Sequence, residues 1–276
     1  MMKFSVLIAQ YNNHHYFKQC YESLKKQSFQ DFEIIVVDDC STDDSFEKIQ
    51  NYCNGDYRVK FFKNTENKGV GFTKRRCIEE ASGEICGFVD PDDALTEDAI
   101  EISIKTHQNK NIIATYSEIY SCDENLNIIK KFEPTQKIKN KSSLFFNVKF
   151  EVAHFFTFKK YTYLETEGIN AELTSAVDQD LYLKLYEKGD FYYIQRPLYL
   201  YRLHEKGVSQ EKSKKEKLNA NWDKVLRNTL KRRKITQLFG KNISEIESLQ
   251  HFIFKKQNTF FKKIITKVLM LFKPKP

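Results

Sequence analysis

The chain has 276 residues, 41% of them hydrophobic, which is enough apolar material for one large domain or two small ones. Its mean hydropathy is −0.59 and it has no run of about 18 apolar residues, so the sequence predicts no membrane-spanning helix. The formal net charge of +8 indicates an anionic partner, which by charge alone can be a nucleotide, a nucleic acid or an acidic lipid surface.

The cysteines and the start of the chain bear on where the protein works. The six cysteines fall at irregular spacings without a C-x-x-C pair, which predicts reduced thiols and neither a zinc site nor a disulfide framework. The apolar run after Lys3 is too short for a secretory signal and has no cleavage site. We therefore expect a cytoplasmic protein.

Short apolar runs alternate with helical patterns through the first 120 residues. The pattern predicts strands over residues 4–9, 32–37, 59–62, 85–89 and 112–116, with helices between them. This alternation is typical of an α/β fold with a mostly parallel sheet that is covered by helices on both faces. In open sheets of this kind, ligands bind beyond the carboxyl ends of the strands.

Two acidic clusters follow predicted strands. Asp38 and Asp39 come after the second strand, and Asp90-Pro91-Asp92-Asp93 comes after the strand over 85–89. Carboxylates that converge on one sheet edge repel each other unless a cation or ligand donors compensate. Asp90-x-Asp92 offers hard oxygens suited to Mg²⁺ or Mn²⁺ on a diphosphate. The alternative is that these acids are helix caps, which explains either cluster alone better than both together.

The pattern is less regular beyond residue 120. Residues 127–132, 151–158 and 198–203 are predicted strands, and residues 177–189 are a predicted helix with Gly189 at its C-cap. Residues 210–276 are rich in lysine, and from Phe260 to Phe272 apolar side chains recur at helical spacing. We expect a basic helical tail over 210–276.

Seven short segments, in order and spacing, resemble family 2 glycosyltransferases of the GT-A fold. They are SVLIAQYN at 5–12, VDDCSTD at 37–43, NKGV at 67–70, ASGE at 81–84, FVDPDD at 88–93, DQDL at 178–181 and YRLH at 201–204. The resemblance covers roughly residues 3–209. It implies a Rossmann-like GT-A domain over 1–209, with a nucleotide-binding part at 1–120 and an acceptor part at 121–209.

The resemblance assigns the donor nucleotide to residues at the strand ends. It implies that Asp39, with Asp38, accepts hydrogen bonds from the base, that Ala9 and Tyr11 line that pocket, and that Asp90 holds the ribose. The family usually has alanine-arginine-asparagine where this chain has Thr73-Lys74-Arg75. Lys74 supplies a point charge rather than a bidentate fork, so the contact to the diphosphate falls to either Lys74 or Arg75.

The resemblance also assigns the reacting groups. It implies that Asp92 or Asp93 coordinates Mn²⁺ or Mg²⁺ on the diphosphate, that His204 contacts the diphosphate or joins the metal, and that Asp178 is the catalytic base. Asp178 has Leu181 and Leu185 three and seven residues later, which predicts an inward position, whereas Asp180 faces Lys184 at i+4 as on a solvated face. The alternative for Asp178 is a first-turn acid that interacts with the helix dipole.

The implied reaction is transfer of a sugar from a nucleotide diphosphate, with UDP expected, to a hydroxyl of a glycan or lipid-linked glycan in surface-polysaccharide synthesis. One base without a nucleophile implies single displacement and inversion. The alternatives are a nucleotidyltransferase, which would need a glycine-rich loop that residues 9–15 lack, and a non-catalytic basic binding protein. We expect no nucleic-acid partner, and we expect peripheral contact of residues 258–276 with anionic membrane. The alternative for this tail is that its apolar stripe packs on the catalytic domain as an ordinary helix.

Overall fold

The computed structural model describes residues 3–204 and 215–258. Nine strands form one mixed sheet in the order β3-β2-β1-β4-β8-β6-β9-β5, and β7 pairs with β6 beside this path. These strands are β1 (Phe4–Gln10), β2 (Phe32–Asp38), β3 (Val59–Lys63), β4 (Ile85–Phe88), β5 (Ala94–Leu95), β6 (Ile112–Cys122), β7 (Ile128–Lys131), β8 (Thr157–Lys159) and β9 (Asp190–Arg202). A small hairpin joins β10 (Gln237–Leu238) to β11 (Lys241–Asn242).

Strand direction places one set of strand ends at a common edge. Strands β1 to β4 are parallel, β8 runs antiparallel to both β4 and β6, and β6 is parallel to β9. The carboxyl ends of β1, β2, β4, β6 and β9 therefore meet at the same edge. The predicted α/β class with a mostly parallel sheet is confirmed.

Helices cover the two faces of the sheet. They are α1 (His14–Lys25), α2 (Ser45–Tyr52), α3 (Val70–Glu80), α4 (Ala99–His107), α5 (Lys160–Leu164), α6 (Val177–Tyr186), α7 (Lys215–Arg232) and α8 (Leu249–Gln257). Along β1, Val6 and Ile8 pack in one hydrophobic cluster while Leu7 packs in the other. Alternate side chains of a strand point to opposite faces, so both faces of the sheet are buried.

Helix α3 lies unusually close to the loop that leads into α6. The amide of Gly71 donates a hydrogen bond to the Leu173 carbonyl oxygen at 3.0 Å. A Cβ at position 71 would lie 2.6 Å from that oxygen and 2.7 Å from the carbonyl oxygen of Asn170. Only glycine permits this approach, which fixes α3 beside the start of α6.

The described part of the predicted tail packs on the sheet domain. Trp222 and Leu226 of α7 and Ile253 of α8 are buried in the same hydrophobic cluster as Leu181 of α6. The division at residue 209 stays a prediction, and residues 210–214 and 259–276, including the apolar stripe from 260 to 272, lie outside the described residues. Among the described helices, none is long and apolar enough to cross a membrane.

Some predicted boundaries differ from the structure. The segment 151–158 is mostly irregular, and its only strand begins at Thr157. The strand expected over 198–203 is the end of β9, which begins at Asp190 and forms a long parallel ladder with β6. The local pattern of β9 is broken by exposed polar residues, so the pairing with β6 decides its extent.

Candidate active site

Asp38 and Asp39 lie at the carboxyl end of β2, and hydrogen bonds hold both. The Asp38 carboxylate accepts from the Ser41 amide at 2.8 Å and from the Ser41 hydroxyl at 2.6 Å. Asp38 has no exposed surface and shapes the loop after β2, and its contact with the nucleotide stays a prediction. Ala9 is half-buried near the end of β1 and Tyr11 is exposed just after it, and their role in lining the pocket stays a prediction.

Asp39 ties β2 to the loop before α3. Its carboxylate accepts hydrogen bonds from Asn64 Nδ2 at 2.7 Å and from the backbone amides of Lys68 and Gly69 at 2.9 and 2.8 Å. These donors fix the N-K-G turn against the sheet edge. The direct contact of Asp39 with a base stays a prediction.

The turn after β4 separates its three aspartates into different surroundings. Asp93 is buried and accepts from the Tyr199 hydroxyl at 2.7 Å and from the Arg202 amide at 2.8 Å. Burial, together with the nearby Asp92 and Asp90, raises the pKa of Asp93 well above its usual range. Both Asp93 oxygens are engaged inside the protein, where they anchor the turn to β9, and the metal role of Asp93 stays a prediction.

A lysine joins the other carboxylates at the centre of the site. Lys74 of α3 is buried, and its Nζ lies 2.9 Å from Asp178 Oδ1 and 3.0 Å from Asp90 Oδ1. Burial lowers the pKa of Lys74, but the carboxylates of Asp178 and Asp90 outweigh burial and raise it above its ordinary value. Burial likewise opposes ionisation of Asp90, yet Lys74 and His154 outweigh it and hold the pKa of Asp90 below its ordinary value.

Arg75, the other candidate for the diphosphate, faces away from this cluster. Its Nε lies 3.1 Å from Glu79 on the same helix, and its guanidinium donates to the Ile169 carbonyl oxygen. Successive residues on a helix point about 100° apart, so Lys74 and Arg75 cannot both face the sheet edge. Of the two residues, Lys74 faces the carboxylate cluster, and the contact of Lys74 or Arg75 with the diphosphate stays a prediction.

His154 belongs to the cluster, although no pattern in the sequence predicts it. Its Nε2 lies 3.9 Å from Asp90 Oδ2 and 3.9 Å from Asp178 Oδ2. Its ring stacks on Tyr199 at a centroid distance of 4.9 Å. A lone histidine in an irregular segment carries no periodic or spacing pattern, so only the folded chain reveals its position.

His204 and Asp92 form a second pair next to the cluster. His204 Nε2 lies 2.8 Å from Asp92 Oδ2, and the His204 ring packs 4.7 Å from the ring of Tyr16. Arg202 stabilises this corner, because its guanidinium lies 4.5 Å from the Tyr16 ring and donates to the Asp92 carbonyl oxygen. Burial and the hydrogen bond to Glu124 raise the pKa of Tyr16 to about 12.

The Asp92–His204 pair fits a divalent cation that shares its shell with a diphosphate. A carboxylate oxygen and an imidazole nitrogen converge there, and Asp92 remains partly exposed. Mg²⁺ in particular is usually held by one or two protein carboxylates together with substrate phosphates, so a small protein donor set is sufficient. Within residues 3–204 and 215–258, three potential ligands meet elsewhere, at His14, Asp43 and Asp44, but the Lys48 ammonium already lies 2.9 Å from Asp44.

Asp180 differs most from its predicted setting. It is 1% exposed, pairs with the buried Lys184 at 2.8 Å and accepts the Asn170 amide at 2.8 Å. The prediction of a solvated outer face is wrong, because the loop over 168–170 and the Lys184 side chain cover that side of α6. Asp178, by contrast, faces the site as predicted and keeps about a third of its side chain exposed.

Comparison with known proteins identifies the family of this chain. The family model described as glycosyl transferase family 2 matches residues 5–165. The chain belongs to this family. It is 30% identical to chondroitin synthase of Escherichia coli over 219 residues, which cover 78% of this chain but only 31% of the synthase.

Solved structures share the fold of this family 2 glycosyltransferase. The structure of S. aureus TarS 1-349 in complex with UDP-GlcNAc superposes with a TM-score of 0.66 over 95% of this chain and 76% of that one, at 20% identity. The mannosyltransferase PcManGT from Pyrobaculum calidifontis, in complex with GDP-Man and Mn²⁺, gives a TM-score of 0.61 over 92% of this chain and 67% of that one, at 13% identity. The predicted GT-A fold is confirmed.

Proposed function

We propose that the protein is an inverting glycosyltransferase that moves a sugar from a UDP-sugar to a hydroxyl group of a glycan or lipid-linked glycan in surface-polysaccharide synthesis. The observation that carries the proposal is the meeting of Asp178, Lys74 and Asp90 beside the Asp92–His204 pair. The UDP-GlcNAc complex of TarS supports the choice of donor, and the similarity to chondroitin synthase supports a polysaccharide product.

In the proposed mechanism, Asp178 accepts the proton of the acceptor hydroxyl. As that O–H bond breaks, the hydroxyl oxygen forms a bond to the anomeric carbon, and the bond from that carbon to the diphosphate breaks with its electron pair on the leaving oxygen. Lys74 Nζ lies 2.9 Å from Asp178 Oδ1 and holds that oxygen away from the acceptor, so Oδ2 is the oxygen that takes the proton. A single base without a covalent nucleophile gives one displacement and therefore inversion.

Asp92 and His204 would hold Mn²⁺ or Mg²⁺ on the diphosphate. The bound cation supplies neutralisation of the charge that develops on the leaving group. One feature of this chain supports the assignment: the Asp92 and His204 ligand atoms converge, 2.8 Å apart. The Mn²⁺ complex of PcManGT shows that a protein of this fold binds such an ion.

The donor and metal assignments can be tested together. The midpoint temperature of thermal unfolding in the presence of UDP should rise when Mn²⁺ or Mg²⁺ is added. A panel of labelled UDP-sugars should identify the donor through product analysis. Asp92→Asn should abolish transfer while the fold persists, because a neutral amide binds divalent ions poorly. Undiminished turnover in EDTA, or full activity of Asp92→Asn, would remove the metal from the mechanism.

The same experiment separates the remaining alternative. A non-catalytic basic binding protein would bind UDP or anionic polymers without releasing UDP from any UDP-sugar in the panel. The acidic cluster argues against that alternative, since carboxylates at the sheet edge repel phosphates unless a cation is bound with them.

Contact with the membrane through residues 258–276 stays a proposal. The described end of α8 leads into this segment with Phe254 exposed and Lys255 and Lys256 beside it. Each surface lysine contributes about 1 kcal/mol of attraction to anionic lipid. Removal of residues 259–276 should release the protein from anionic liposomes and spare UDP binding, whereas a full-length protein that ignores such liposomes at low salt would end the proposal.

A further inference from the structure

The two carboxylates at the centre of the site are held from two sides. Lys74 contacts Oδ1 of Asp90 and Oδ1 of Asp178, whereas His154 Nε2 faces Oδ2 of both at 3.9 Å. A distance of 3.9 Å is too long for a direct hydrogen bond. Each Oδ2 is therefore available to another group, while the histidine lies beside it.

The His154 ring is held firmly in this position. It stacks on Tyr199, whose hydroxyl bonds to Asp93 and to the Asp90 amide, so the ring rests on the same support as the D-P-D-D turn. The side chain is 15% exposed. Because Nε2 faces two carboxylate oxygens, a lone pair there would be repelled, and the proton is assigned to Nε2. The buried Nδ1 has no hydrogen-bond partner among the described residues.

We propose that His154 is a positioning residue for the catalytic base, an assignment that rests on the proposed function of Asp178. With Lys74 on Oδ1 and the His154 Nε2–H beside Oδ2, the Asp178 carboxylate is restricted to one orientation. Its Oδ2 faces the incoming hydroxyl and receives the proton. His154 acts through Asp178, and it does not itself take the proton.

The matched test is His154→Phe, which keeps a ring to stack on Tyr199 but removes both nitrogens. We expect turnover to fall about ten- to a hundredfold, because a loosely oriented base loses part of its contribution. The KM for the UDP-sugar should stay within about threefold of the wild-type value, since general binding is unchanged. His251→Phe, the same change on an exposed position of α8, serves as the control and should leave turnover unaltered.

A double-mutant cycle with Asp178→Asn distinguishes positioning from a structural role. If His154 acts through Asp178, His154→Phe should cause no further loss of turnover in the Asp178→Asn background. An equal loss in both backgrounds, or full turnover of His154→Phe, would overturn the proposal. If His154→Phe folds poorly, His154→Gln is the substitute, because glutamine retains an N–H donor. The turnover of His154→Gln should exceed that of His154→Phe. A His154→Gln variant that is no faster than His154→Phe counts against the proposal.

The cycle also separates this inference from the proposed function. The assay uses whichever UDP-sugar and acceptor give the highest wild-type turnover in the panel. Absence of transfer by the wild type, or an unaffected Asp178→Asn, would overturn the proposed function itself. A slow Asp178→Asn beside an unaffected His154→Phe would overturn the role of His154 alone.

Discussion

Helix α6 carries two lysine–aspartate pairs, one on each side of its first turns. On the site side, Asp178 meets Lys74 of α3, and about a third of the Asp178 side chain is open to solvent. On the core side, Asp180 meets Lys184 one turn along the same helix, with 1% and 6% of the two side chains exposed. The residue types and the bond lengths are alike, yet the surroundings differ.

The difference shows what separates a reacting carboxylate from a structural one. Asp180 uses one oxygen for both Lys184 and the Asn170 amide, and the closed surroundings leave no route for a ligand. Asp178 gives Oδ1 to Lys74, its Oδ2 lies 3.9 Å from His154 Nε2, and 30% of its side chain is exposed. A carboxylate can exchange protons with a substrate only in the second setting.

The largest expected effect is on folding, from Asp180→Asn. This change leaves the Lys184 ammonium buried without a counter-charge, which costs about 3–5 kcal/mol of the free energy of unfolding. Urea unfolding followed by circular dichroism measures the loss. Adding Lys184→Met should recover part of it, because the unpaired charge is then gone. An Asp180→Asn variant as stable as the wild type would mean that the two sides of α6 do not differ as described.

The next effect is on turnover, from Asp178→Asn. Loss of the general base should lower turnover by about 10²-fold or more while UDP binding persists. Stability should change little, since Asp178 is partly exposed and Lys74 retains Asp90 as its partner. Steady-state kinetics and UDP titration calorimetry provide the two readouts. If Asp180→Asn instead slows the folded enzyme more than Asp178→Asn does, the wrong acid has been assigned as the base.

The smallest expected effect is on UDP binding, and it compares two neighbouring residues of α3. Arg75→Ala should alter UDP binding by no more than about 0.5 kcal/mol, because Arg75 pairs with Glu79 on the outer surface. Lys74 lies one residue earlier, and Lys74→Met should lower turnover because it removes the cation shared by Asp90 and Asp178. Titration calorimetry with UDP and Mn²⁺ measures the affinity of each variant for UDP. A loss of affinity in Arg75→Ala comparable to that in Lys74→Met would assign the diphosphate contact to Arg75.

The sequence patterns predicted the residues at the sheet edge well, because these patterns depend only on neighbouring residues. The strands that end at Asp38 and before Asp90 are continuous apolar runs, and acids directly after such runs must lie at the carboxyl edge. Asp178 was predicted to face inward from the spacing of Leu181 and Leu185, and both leucines are buried. Each of these predictions needs only a few residues of neighbouring sequence.

Sequence patterns predict less where distant segments decide burial. Asp180 and Lys184 four residues apart look like a solvated pair, and only the loop over 168–170 reveals them as buried. Asp93 follows the metal pattern as well as Asp92 does, but β9, some hundred residues later, supplies Tyr199 and Arg202 to both of its oxygens. His154 reaches the site through the path of an irregular segment, which no periodicity describes.

The close approach at Gly71 limits how this enzyme can be redesigned. The smallest added side chain would collide with the carbonyl oxygens of Leu173 and Asn170, and relief of that collision would move the start of α6 away from α3. Lys74 and Asp178 would separate as a result, although neither had been changed. Mutant libraries that seek a new donor or acceptor should therefore leave Gly71 and residues 170–173 untouched and take their diversity from the mostly exposed segment over 128–144.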